Sequence, residues 1–94
     1  MKQLVKGMYA RSLAGHDKGK LYIIIEADEA YVYLSDGRLR PLDKLKKKKL
    51  RHIQPDYGVS AVLQERMGEQ LPIRDEDIRK AIKSKEVKVC QRQM

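Results

Sequence analysis

Apolar and polar positions alternate along the first half of the chain with the two-residue period of β-strands. Residues 8–12 and 30–34 both show this alternation. Between them, residues 21–25 form an unbroken run of β-branched, aromatic and leucine side chains, too short for a typical helix. The loop at residues 14–19 contains two glycines, and Ser35-Asp36-Gly37 is a hairpin signal because Asp-Gly tolerates positive φ. The pattern predicts three strands joined by tight turns.

Further short apolar segments follow this hairpin, at residues 38–40, at Leu42 and Leu45, and at residues 50–53. They raise the predicted count to about five short strands. A small barrel is the favoured arrangement, because closing a sheet on itself removes exposed strand edges. The sequence therefore predicts a mainly β fold, with the barrel in residues 1–54.

The pattern changes after Pro55. Val59, Val62, Leu63 and Met67 have helical spacing, with Gly68 as a plausible stop, so a short helix is predicted here. Residues 75–83 predict a second helix, with Asp75 as its cap, acidic residues in its first turn and an apolar edge containing Ile78 and Ile82. Residues 55–94 are thus predicted to be a helical extension packed on the same single domain, with fraying in residues 86–94.

The positive charge is concentrated in one short segment. The whole chain of 94 residues has a formal net charge of +8. Residues 38–52 account for nearly all of it, because they contain eight basic residues and a single acidic one, Asp43. This concentration favours a polyanion-binding surface over a generally basic protein.

The loop and its flanking strands resemble the KOW motif. Gly7-Met8-Tyr9-Ala10, then Gly15-His16-Asp17-Lys18-Gly19-Lys20 and the apolar residues 21–25 match an apolar strand, a Gly-x-x-Lys-Gly loop and a second apolar strand. The basic continuation, from Asp36-Gly37 through Lys46–Lys49, is most similar to bacterial KOW-domain proteins related to a large-subunit ribosomal protein family of archaea and eukaryotes. The resemblance covers residues 5–53, and it departs from the motif at Leu21 and Tyr22, where many KOW segments have a further glycine.

The resemblance implies an SH3-like barrel that contacts RNA or a protein partner. Phosphate contacts are predicted for ten basic residues of the loop and the basic segment: Lys18, Lys20, Arg38, Arg40, Lys44, Lys46, Lys47, Lys48, Lys49 and Arg51. A lysine contacts phosphate as a point charge and carries little base information. The alternatives are that Lys46–Lys49 form a solvated loop that aids solubility, and that Gly15 and Gly19 serve only the turn.

Two tyrosines share one face of the third predicted strand. If Val32 and Leu34 face the core, then Tyr31 and Tyr33 face outward and could stack on unpaired bases. Packing on the barrel's outside or on a helix, for example against residues 78–82, is the favoured alternative.

No catalytic or metal-binding pattern is present in the sequence. His16, His52 and the single cysteine, Cys90, have no ligand spacing, and the acidic residues are scattered. One cysteine, no apolar run long enough to span a membrane and no secretory h-region together predict a cytoplasmic protein.

The expected function is that of a monomeric, cofactor-free, non-enzymatic RNA-binding protein. Ribosomal RNA is the expected ligand, and ribosomal proteins or translation factors are possible further partners. The alternative function is a protein-interaction module that binds an acidic transcription or translation factor.

Overall fold

A computed structural model describes residues 4–92, with side chains described as far as Glu86. The elements in chain order are β1 (Met8–Ser12), β2 (Leu21–Ala27), β3 (Tyr31–Ser35), β4 (Lys46–Lys49), a 3₁₀ turn (Leu50–His52), β5 (Ile53–Val59), α1 (Ala61–Gly68) and α2 (Asp75–Arg92). The five strands form one antiparallel sheet in the order β4-β3-β2-β1-β5. The prediction of a small, mainly β, barrel-like fold followed by helices is confirmed.

β1 and β2 contribute buried residues to both faces of the sheet, which explains the apolar run in β2. On the inner face, Tyr22 and Ile24 pack with Val32, Leu34 and residues from β1 and β5. On the outer face, Leu21 and Ile23 pack beneath the two helices, in a cluster that also contains Tyr9, Leu63, Ile78 and Ala81. Because successive strand residues point to opposite faces, a strand between two apolar layers needs apolar residues at every position.

Buried contacts hold α2 to the sheet, and side-chain hydrogen bonds fix the start of each helix. Ile78 and Ala81 of α2 are fully buried, and the Tyr9 hydroxyl donates to the Ala81 carbonyl at 2.9 Å. Ser60 Oγ caps α1 by accepting from the Leu63 amide. The sequence places Asp75 at the cap of α2, but its carboxylate instead accepts from the Leu42 amide at 2.7 Å. Asp75 therefore ties the helix to the β3–β4 connection.

Several predicted boundaries differ from the observed ones. Residues 38–40 belong to the connection between β3 and β4 and are not a strand. β5 runs from Ile53 to Val59, past the predicted end of the barrel at residue 54, because the strand pairs with β1 through Pro55. The first helix begins at Ala61, so Val59 is a strand residue. α2 continues to Arg92, beyond the predicted end of its regular part.

Among residues 4–92, no helix is both long enough and apolar enough to cross a membrane.

Candidate nucleic-acid interface

The four consecutive lysines form the edge strand of the sheet. β4 pairs with β3 so that Lys49 lies opposite Tyr31 and Lys47 opposite Tyr33, while Lys48 lies opposite Val32 and Lys46 opposite Leu34. Lysine is depleted in β-strands, but edge strands tolerate it, and a charged edge resists pairing with the edge strand of another molecule. Directly opposed residues share a face of the sheet. The register therefore divides the run into two pairs with different surroundings.

The inward pair, Lys46 and Lys48, is directed toward Asp17 in the β1–β2 loop. Lys48 Nζ donates to Asp17 Oδ1 at 3.0 Å and to the Ala14 carbonyl at 2.9 Å, and its side chain is only 10% exposed. Lys46 Nζ lies farther away, 3.9 Å from Asp17 Oδ2. Lys48 is thus a structural lysine that joins β4 to the loop.

Asp17 is the hub of this connection. Its carboxylate accepts hydrogen bonds from the Tyr22 hydroxyl at 2.7 Å and the Ser12 hydroxyl at 2.8 Å, in addition to Lys48. Partial burial opposes ionisation, but these donors outweigh it and hold the pKa of Asp17 far below its usual range. The pKa of Tyr22 is raised, first by burial and then by its hydrogen bond to this carboxylate. Asp17 is therefore ionised at neutral pH, and its single charge is paired mainly with Lys48.

The outward pair, Lys47 and Lys49, lies beside two half-buried tyrosines. Lys47 Nζ lies 4.2 Å from the centre of the Tyr31 ring and 6.0 Å from that of Tyr33. Lys49 and Arg51 line a shallow cleft with Tyr31, Ala30 and Leu50. Val32 and Leu34 face the core as predicted, and the tyrosines on the opposite face lie next to Lys47. This surface, Tyr31, Tyr33, Lys47, Lys49 and Arg51, is called the β3–β4 face below.

The basic connection between β3 and β4 is a loop whose backbone is hydrogen-bonded to Asp36. This carboxylate is buried and accepts from the amides of Arg38 and Arg40, both at 2.9 Å, and forms an ion pair with Lys20. Ser35 Oγ donates to the Arg40 carbonyl at 2.7 Å and accepts from the Gly37 amide. Burial alone would raise the pKa of Asp36, but Lys20 and the two amides lower it. The loop holds the Arg38 and Arg40 side chains exposed to solvent.

The ten predicted contact residues thus occupy different environments. Lys48 is anchored in the structure, Lys46 is oriented toward Asp17, and Lys20 is paired with Asp36. The exposed members are Lys18, Arg38, Arg40, Lys44, Lys47, Lys49 and Arg51. Lys47, Lys49 and Arg51 lie together at the β3–β4 face, whereas Arg38 lies near α2.

Sequence reasoning missed two basic residues of α2. Arg79 and Lys83 line a groove with Arg38 and Lys20, although they follow Arg38 in the chain by some forty residues. The signal was their spacing of four residues, which places them on one side of a helix. What the sequence did not reveal is which side of that helix meets the basic loop.

Across the described part of the chain, no three histidine, cysteine, aspartate or glutamate residues are grouped so that they could hold a metal ion. The side chain of Cys90 lies outside the described ones, so the sequence prediction about it remains untested.

A scan against protein-family models finds no family that matches this chain, and a search of curated proteins finds no significant match either. The KOW resemblance accordingly remains a prediction from the residues quoted above.

Proposed function

We propose that this protein binds RNA through phosphate contacts made by the β3–β4 face together with the exposed arginines of the β3–β4 loop. The observation that carries the proposal is the alternation in β4, which presents Lys47 and Lys49 beside Tyr31 and Tyr33, whereas Lys48 on the inward side is paired with Asp17. Clustered cations favour a polyanion, because binding releases its condensed counterions. Lys47 lies over the Tyr31 ring, and this cation–π contact favours a position of its charge at the β3–β4 face.

The proposal includes ribosomal RNA as the ligand and a cytoplasmic, ribosome-associated role, in keeping with the KOW resemblance. Its chemistry predicts affinity with little sequence preference, because lysines contact phosphates as point charges. No enzymatic activity is proposed. Asp36 accepts hydrogen bonds from the backbone amides of Arg38 and Arg40, so the loop backbone needs no ordering on binding, which lowers the entropic cost of association.

The decisive experiment compares two double variants within one strand. Lys47→Gln with Lys49→Gln removes the outward charges, and Lys46→Gln with Lys48→Gln removes the same charge from the inward pair. Binding of fluorescently labelled large-subunit ribosomal RNA fragments is measured across a salt series, at a temperature at which circular dichroism shows both variants folded. The outward variant should lower the log–log salt slope by about 0.7–0.9 for each lost contact, and the inward variant should change it little. Equal slopes in the two variants would contradict the proposal.

Ribonuclease digestion distinguishes RNA binding from the alternative function, binding of an acidic protein partner. We expect the protein to sediment with ribosomal particles in a sucrose gradient and to leave those fractions after ribonuclease digestion of the extract. Retention on a protein partner in digested extract would instead support the interaction module.

A further inference from the structure

An open groove lies between the β3–β4 loop and α2. Its volume is about 560 Å³, and its apolar lining comes from Leu21, Leu39 and Ile82. The other lining residues, apart from Gly19, are charged: Lys20, Asp36, Arg38, Arg79, Lys83 and Glu86. Leu39 is 81% exposed.

The charges of this groove do not cancel. Lys20 and Asp36 neutralise each other as an ion pair. Arg79 Nη1 donates to the Gly37 carbonyl at 2.7 Å, a neutral partner that leaves its charge intact. Among the side chains described as far as Glu86, Lys83 has no ion-pair partner. Arg38, Arg79 and Lys83 therefore face Glu86 alone, and the groove has a local excess of positive charge.

The α2 side of the groove is a single helical stripe. Arg79, Ile82, Lys83 and Glu86 are spaced three, one and three residues apart, so they share one side of the helix. Of the other cations of the helix up to Glu86, Lys80 pairs with Glu76, and Lys85 pairs with Asp56 while lying over the Tyr9 ring. Among the α2 side chains described as far as Glu86, Lys83 is thus the lysine available to a ligand in the groove.

The two walls of the groove are fixed to each other. Besides the Arg79–Gly37 hydrogen bond, the Leu42 amide donates to Asp75 at the first turn of α2. A Cβ at Gly37 would lie 2.6 Å from the Asp75 carbonyl oxygen and 2.9 Å from Arg79 Cγ, so the loop and the helix are in direct contact. Arg38 and Lys83 are consequently presented by a preformed site.

We infer that this groove holds a segment of the backbone of the bound RNA, so that α2 is a direct part of the interface. The inference rests on the proposed function and extends it to a helix whose contacts otherwise look purely structural. Arg38 and Lys83 would contact successive phosphates from the two walls, and Leu39 would pack against an adjacent sugar or base. RNA is favoured over an acidic peptide because the groove shares the loop of Arg38 and Arg40 with the proposed RNA-binding surface.

The test compares Lys83→Gln with a matched control, Lys80→Gln. Both residues are exposed lysines of α2 and both changes remove one charge, but only Lys83 lines the groove. Affinity for the same labelled ribosomal RNA fragments is measured across a salt series, alongside the Lys47→Gln/Lys49→Gln variant. We expect Lys83→Gln to weaken binding about three- to tenfold and to lower the salt slope by about one, with the control close to wild type.

Each outcome has a distinct meaning. Equal effects of Lys83→Gln and Lys80→Gln would indicate only a change in net charge and would overturn the inference. Wild-type affinity in Lys83→Gln, with weakened binding in Lys47→Gln/Lys49→Gln, would overturn it and leave the proposed function standing. Wild-type affinity in all three variants would overturn both. Lys83-dependent binding of polyglutamate without Lys83-dependent binding of RNA would assign the groove to an acidic protein and overturn the inference as well.

Discussion

Lys48 Nζ lies 3.0 Å from Asp17 Oδ1, and this ion pair joins the lysine-rich edge strand to the β1–β2 loop. Both side chains are largely buried, at 10% and 12% exposure. Lys48 therefore has a structural role, whereas its neighbours on either side in the run of four lysines face solvent. Because Lys48 is paired and largely buried, fewer positive charges are accessible to a ligand than the run of four lysines in the sequence suggests.

Replacing Lys48 should destabilise the protein more than replacing its neighbour. In Lys48→Met the aliphatic stem remains, but Asp17 loses its charged hydrogen-bond donor. The Tyr22 and Ser12 hydroxyls are then its remaining side-chain hydrogen-bond donors. We expect a loss of about 1–3 kcal/mol in the free energy of unfolding, measured by urea titration. Lys49→Met removes the same charge at an exposed position and should stay within about 0.5 kcal/mol of wild type. Equal stability of the two variants would argue against a structural role for Lys48.

The lowered pKa of Asp17 predicts a stability that depends on acid pH. An unfolded aspartate titrates near pH 3.9, whereas folded Asp17 holds its charge to lower pH, because its donors outweigh the effect of burial. Its contribution is therefore present above the unfolded pKa and is lost as the pH falls through the folded one. Asp17→Asn should flatten the fall in stability below about pH 4, measured by urea unfolding at a series of pH values. Asp43→Asn, at an exposed position, is the control and should leave that fall unchanged.

Gly37 and Gly19 form a matched pair for testing how the β3–β4 loop docks on α2. Both have positive φ, at +74° and +89°, so alanine is strained at either position. Only at Gly37 would the added Cβ also collide with α2, whereas nothing lies within 4 Å of it at Gly19. We expect Gly19→Ala to cost about 1 kcal/mol and Gly37→Ala clearly more, measured by thermal unfolding. The same melting temperature in both variants would show that the loop moves away from the helix at no cost.

The apolar edge of α2 should contribute unequally along its length. The sequence predicts burial of both Ile78 and Ile82, but the structure buries Ile78 completely and Ile82 only partly. Ile78→Ala should therefore cost about 2–4 kcal/mol, and Ile82→Ala distinctly less. Urea unfolding of both variants gives the comparison. A larger loss from Ile82→Ala would mean that the helix packs in a different rotation on β1 and β2.

Local sequence patterns determined the architecture in outline. The two-residue alternation in residues 8–12 and 30–34 set the inner and outer faces of β1 and β3, because strand side chains alternate by geometry alone. The apolar spacing of residues 75–83 likewise indicated a helix with a buried edge. The concentration of positive charge in residues 38–52 predicted the surface that the proposed function uses.

Tertiary pairing decided which of those charges remain available. The strand character of β4 comes from its partner β3, because four lysines have no strand preference of their own. Whether Lys47 or Lys48 faces outward depends on the register with Val32 and Tyr33, and a shift of one residue would exchange them. Arg38 and Lys83 line the same groove because α2 is oriented so that Ile78 is buried. Each of these facts arises from contacts between residues far apart in the chain, which local propensity and spacing do not encode.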